Sequence, residues 1–235
     1  MPRSQQKSDY DRLKSLMASK KGKEKPCREY LPLANELLAK FTSTEFKGQD
    51  EELPSRFGPS DYLVICTRQN VAGEKEDHAY LWEVKAPQCP VCARDTKMRA
   101  RPSRDLINAE NQLLHYYDSV VDDGSLLRDH NLSPGRVHLG GIIIGKRSSP
   151  MTGILSPGEK LAAARAFSLR EKWVYGPAGI DVVPWDRILD YLLEHKPVTK
   201  NVTRKKIPIN LNTSPDNIII QDVAKLSVEG HKNGG

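Results

Sequence analysis

The sequence predicts an α/β domain in which a mixed β-sheet is flanked by helices. Three observations carry that prediction. Two apolar strand-like runs, residues 61–67 and 79–85, enclose a polar stretch containing Gly73, as in a hairpin. Further strand-like runs then alternate with segments of helical periodicity. Such alternation places helices against a sheet rather than building an all-β sandwich.

In chain order, LPLANELLAKF carries an apolar stripe of Leu33, Leu37, Leu38 and Phe41, with Pro32 suited to a first turn. A loop over 42–60 follows, with the turn formers Pro54, Gly58 and Pro59. The hairpin comes next, and Ala86-Pro87 stops its second strand because proline donates no ladder hydrogen bond. Residues 88–102 read as an irregular basic loop containing CPVC. Ser103 suits an N-cap for a helix over 104–121, with Leu106, Leu113, Tyr117 and Val120 on its apolar face. VHLGGIIIG (137–145) reads as a buried strand, and 156–172 as a helix with Ser156 as cap and Pro157 in its first turn. A short strand, 180–183, and a last helix, 185–195, complete the core.

The domain expectation is a basic N-terminal tail over 1–28, a core over 29–196 and a polar extension over 197–235 with one strand-like run, 217–221. The first 28 residues hold nine basic and three acidic side chains, a net +6 that matches the whole chain's +6. Such a tail is either solvated and flexible or a basic arm for phosphates with salt-sensitive affinity. No apolar run approaches the roughly 20 residues of a membrane span, and no secretory h-region opens the chain. The expectation is an intracellular protein, cytoplasmic if bacterial, with no membrane partner. Cys27, Cys66, Cys89 and Cys92 are then expected as thiols. Cys89 and Cys92 also offer half of a zinc site, without a second CxxC to complete it.

The hairpin holds the chemistry. If Ala72-Gly73 lies near its tip, positions summing to about 144 face each other, which sets Asp61 across from Glu83. Side chains alternate along a strand, so Glu83 and Lys85 share a face, and cross-strand pairing adds Asp61. The flanking positions are apolar on both faces, so these groups stand beside a buried strand pair. Charges there are costly unless paired or bound to a cation. Two hard carboxylates suit Mg2+, with Mn2+ able to substitute. Such an ion polarises a phosphodiester, and Lys85 would offset charge on the phosphate or position the water. The alternative is a hairpin end closed by a simple salt bridge. Glu45-Phe-Lys47 has the same E-x-K spacing without the apolar strand around it.

On the following helix, Gln112 and Tyr116 are four residues apart and share a face. They are either ordinary polar positions or groups that bond water and phosphate at the site. Lys97, Arg99, Arg101 and Arg104 follow the second strand and offer either a solvated loop or phosphate contacts.

Asp61, the Glu83-Val84-Lys85 triplet before a proline, and the Gln112–Tyr116 helix resemble the PD-(D/E)xK nuclease superfamily with its QxxxY motif. GGIIIGKR (140–147) and IDVVPWDRILDYL (180–192) are similar to segments of Shedu-type nuclease domains. The resemblance spans roughly residues 30–195. It implies that Asp61 and Glu83 bind the metal, that Lys85 is the catalytic lysine, and that Gln112 and Tyr116 complete the site. Glu36 falls on the first core helix, where many such nucleases carry an additional metal-binding carboxylate. The implied activity is Mg2+-dependent cutting of DNA in antiphage defence, often by homo-oligomers. One departure is that Ser60, not proline, precedes Asp61. The competing expectations are a catalytically silent DNA-binding or scaffold module of the same fold, and a nuclease for RNA or branched DNA.

Overall fold

A computed structural model describes residues 8–19, 24–40, 62–95, 99–124, 127, 128 and 130–195. All of them belong to one compact unit, Met1–Lys196. The fold is α/β, with a mixed four-stranded sheet between helical layers. Its strands are β1 (Tyr62–Gln69), β2 (Lys75–Val84), β5 (Val137–Ile143) and β6 (Asp181–Val183), in the order β1-β2-β5-β6. β1 and β2 are antiparallel; β2, β5 and β6 run parallel. Two short strands, β3 (Cys92–Arg94) and β4 (Ala100–Pro102), form a separate hairpin.

The helices are α1 (Asp9–Ala18), α2 (Glu24–Arg28), α3 (Asn35–Leu38), α4 (Arg104–Asp123), α5 (Pro157–Arg170) and α6 (Trp185–Glu194). Their starts follow from local chemistry. Ser103 Oγ accepts from Leu106 N at 3.0 Å, and Ser156 forms a capping box with Glu159. Among the described residues no helix is long and apolar enough to cross a membrane.

Alternation divides the core into two layers. Leu63, Ile65, Ala79 and Leu81 face one side and pack under α4 and α5. Tyr62, Val64, Cys66, Tyr80, Trp82 and Val84 face the other, under α1, α3 and α6. β5 changes phase within its length. Leu81 pairs with Leu139 but Trp82 pairs with Gly141, so Gly140 is the extra residue of a bulge. As a result Ile142 and Ile144 join Leu139 in the α4 layer, and Ile142 becomes the partner of Glu83. Only glycines fit here. A Cβ on Gly140 would lie 2.4 Å from Trp82 Nε1, and one on Gly141 2.0 Å from Asp181 O.

The structure corrects three expectations. Residues 8–18 are not a loose tail: they form α1, whose Leu13 is 0% exposed and whose Met17 is also buried. Gln88 Nε2 donates to Leu16 O (3.2 Å) and Ser19 O (2.9 Å), and Lys146 Nζ to Met17 O (3.1 Å), which satisfies carbonyls at the end of α1. The helix expected over 31–41 is, within the described residues, a 3-10 turn, Leu31–Ala34, followed by the single-turn α3. Leu31, Ala34 and Leu38 are the buried positions, while Leu33 is exposed. Finally, the CPVC region is not wholly irregular, because β3 and β4 pair through Cys92 and Pro102. The strand-like run 217–221 lies outside the described residues.

Candidate active site

The hairpin register is the one the turn demands. Tyr62 pairs with Trp82 and Gln69 with Lys75, each pair summing to 144. Glu83 ends the buried part of β2 on the α4 side, and its side chain is 0% exposed. Lys85 Nζ lies 2.5 Å from Glu83 Oε1, and its side chain reaches solvent with 19% exposure. A carboxylate is tolerable there because the ammonium offsets part of its desolvation cost. Asp61 lies outside the described residues.

The Lys85 backbone is fixed from two sides. Its N–H donates to Ile143 O at 2.8 Å, and its C=O accepts from Trp185 Nε1 at 2.7 Å. The Trp185 backbone N–H donates to Gly145 O at 3.0 Å. Trp185 is 0% exposed, so the Lys85 backbone is held at the strand end, and the ammonium is placed by its pairing with Glu83. From sequence Trp185 reads as a core aromatic; its indole N–H additionally clamps the lysine.

α4 packs over β2 and β5, on the face to which Glu83 points. Its start is tied to the CPVC segment: Ser103 Oγ donates to Pro90 O at 2.5 Å, and Ser103 N to Val91 O at 3.0 Å. Leu106, Ala109 and Leu113 form the buried stripe. Tyr116 is also buried, and Gln112 is half-buried one turn before it. Asn108 and His115 are exposed.

Glu36 stands apart. It is exposed on α3, in the layer on the opposite face of the sheet, and its Oε2 accepts from Tyr191 Oη at 2.8 Å. Burial, then the Glu36 carboxylate, pushes the Tyr191 hydroxyl up to about 12, so it remains a donor at neutral pH. Arg99, Arg101 and Arg104 are exposed, with Arg99 3.8 Å from Asp95; Lys97 lies outside the described residues.

Sequence reasoning passed over a polar cluster between α4 and the turn after α5. Glu110 Oε1 accepts from Arg170 Nη2 at 2.5 Å and from Tyr175 Oη. A π-helical turn, Glu171–Tyr175, carries Tyr175 into the core. No local signal links residues 60 and 65 positions apart. The four cysteines are free thiols. Burial raises all of them, Cys27 to about 12 and Cys66 to about 11, so none is poised as a thiolate. Cys92 Sγ is directed at Ala163 O, 3.9 Å away, inside the α4 layer.

Among the described residues no group of three or more His, Cys, Asp or Glu is placed to hold a metal ion. The described part of the candidate site supplies one hard carboxylate, Glu83, of the kind that Mg2+ prefers. Neither a protein-family model nor a curated protein sequence matches the chain.

Proposed function

We propose that this chain is a Mg2+-dependent endonuclease that hydrolyses DNA phosphodiester bonds as an intracellular, homo-oligomeric defence protein. One observation carries the reading: a wholly buried carboxylate, Glu83, is joined to a partly exposed ammonium, Lys85, where β2 ends. Asp61 is the second carboxylate of the proposal. The register supports it, because pairs summing to 144 run from Gln69–Lys75 to Tyr62–Trp82, and Asp61 and Glu83 share that sum.

Mg2+ held by the Asp61 and Glu83 carboxylates would supply Lewis-acid polarisation of the phosphodiester and acidify nearby water. The chain's own groups do the rest. Lys85, fixed through Ile143 and Trp185, presents a cation to the charge that builds on the phosphate. Gln112 and Tyr116, on the helix covering the same face, hold water and brace the site. Arg99, Arg101, Arg104 and Lys97 contact the phosphate backbone without reading bases. Glu36 is left out of the metal set, since its carboxylate serves Tyr191 in the other layer.

A second reading is favoured by the same ion pair. A Glu83–Lys85 bridge can simply close a hairpin in a DNA-binding or scaffold module that does not cut. The deciding experiment incubates wild type and Glu83→Gln with linear, supercoiled and branched DNA and with RNA, in Mg2+ or Mn2+. The nuclease reading expects cutting by wild type alone, and the substrate panel fixes the polymer. No cutting of any substrate by wild type favours the silent module.

A further inference from the structure

A cavity of about 330 Å3 opens on the face of the sheet that carries Glu83. It lies past the carboxyl ends of the parallel strands: Ile144 and Lys146 follow β5, Pro184 follows β6, and Val91 follows β2. Crevices at that end of an open α/β sheet are where such folds take ligands. The cavity also neighbours the candidate active site. Ile144 shares a face with Ile142, the Cα partner of Glu83, and adjacent strands are only about 4.8 Å apart.

The lining has two chemistries. Val91, Ile144, Val182 and the Phe167 ring are apolar. Lys146, Arg147 and Lys160 line the same cavity. Arg147 is matched by Asp190 at 3.2 Å and its backbone N–H donates to Asp186 Oδ2 at 2.6 Å, while the Lys146 ammonium donates to Met17 O, at the end of α1. Lys160 is exposed and forms no ion pair among the described residues. The carboxylate nearest to it on α5, Glu159, is engaged by Arg94 at 2.5 Å. The wall therefore holds one cation, Lys160, with no ion-pair partner among the described residues, beside an apolar floor. A matching ligand is flat and apolar at one end and anionic at the other, and the volume is that of a small-ligand site.

We propose that this cavity receives one unstacked nucleotide of the bound strand, with its base against Phe167 and Val182 and its phosphate at Lys160. The proposal rests on the nuclease reading for the presence of a strand, but it adds a site that grips the strand beside the cut. Base–aromatic stacking is tolerant of sequence, so the pocket would select an unstacked or deformable position rather than a base identity.

The test uses the full chain and short duplexes carrying 5-iodouracil at successive positions, with Ca2+ to block cutting. After irradiation, cross-linked peptides are mapped by mass spectrometry. Cross-linking to Phe167 from a narrow window of positions is expected. Ala164→Trp fills the cavity from an exposed position of α5 and should lower that yield at least fivefold while raising Kd about tenfold. Lys160→Glu, which disturbs no packing, should weaken binding and flatten its salt dependence. Cross-links only elsewhere, an unchanged yield in Ala164→Trp, or no nucleic-acid binding at all would overturn the proposal. Wild-type protein that cross-links at Phe167 yet cuts nothing in Mg2+ sinks the nuclease reading and leaves the pocket standing. Cutting without the cross-link does the reverse.

Discussion

The Lys85 ammonium lies 2.5 Å from Glu83 Oε1, joining a carboxylate with no solvent exposure to a cation that reaches the surface. This pair makes stability and chemistry separable. Lys85→Ala leaves the Glu83 charge inside without that cation and should cost about 3–5 kcal/mol. Replacing both, with Glu83→Gln and Lys85→Met, should recover much of that loss in urea unfolding, yet restore no cutting. Recovery of cutting in the double variant would contradict a catalytic role for either group.

α1 is part of the folded core. Leu13 is 0% exposed within the layer formed by Trp82, Trp185 and Ile188, so Leu13→Ala should lose about 2–5 kcal/mol of stability. Equilibrium urea unfolding measures it. A loss below about 0.5 kcal/mol, the range of ordinary surface substitutions, would show that α1 is not docked as described.

The Gly140 bulge sets which β5 side chain stands beside Glu83. Gly140→Ala places a Cβ 2.6 Å from Leu81 O and 2.4 Å from Trp82 Nε1, and backbone cannot yield as a flexible side chain does. The expected cost is about 1–3 kcal/mol in thermal or urea unfolding. It should be accompanied by loss of cutting larger than the unfolded fraction explains. A fully stable, fully active variant would mean that the phase change of β5 is unimportant.

His78 Nδ1 and His138 Nε2 are 2.9 Å apart in stacked rings, so one ring donates the proton that the other accepts. Burial above all lowers both from the ordinary 6.5; at His138 the neighbouring His78, then Arg68 and Lys40, add to it, and at His78 Arg68 and Arg136 add to it while Glu76 and Asp77 oppose. The unfolded chain therefore binds protons that the folded chain resists. The stability contribution is full above 6.5 and is lost as pH falls below it. Urea midpoints at about pH 7.5 and 5.5 should show this loss, and His138→Asn should shrink the difference. An undiminished difference in that variant would place the titration elsewhere.

Much of the hairpin was legible because a turn and an alternating pattern determine register together. Gly73 near the tip, at φ 82°, was enough to pair Tyr62 with Trp82. The caps at Ser103 and Ser156 were legible for a similar reason, since each acts within three residues. α1 was hidden by its charge: Leu13, Leu16 and Met17 stand at helical spacing, but the basic residues around them read as a tail. β3 and β4 are three residues each, too short to show a period. The Trp185–Lys85 bond and the Glu110–Arg170–Tyr175 cluster join distant positions, and only tertiary packing brings them together.

The proposed cutting requires that Glu83 and Asp61 hold one divalent ion with Lys85 alongside. Anomalous diffraction from crystals soaked in Mn2+ tests it most directly. A single strong peak ligated by both carboxylates, on the α4 face of the sheet, is expected. A peak that avoids Glu83, or an Asp61 side chain on the opposite face, would contradict it.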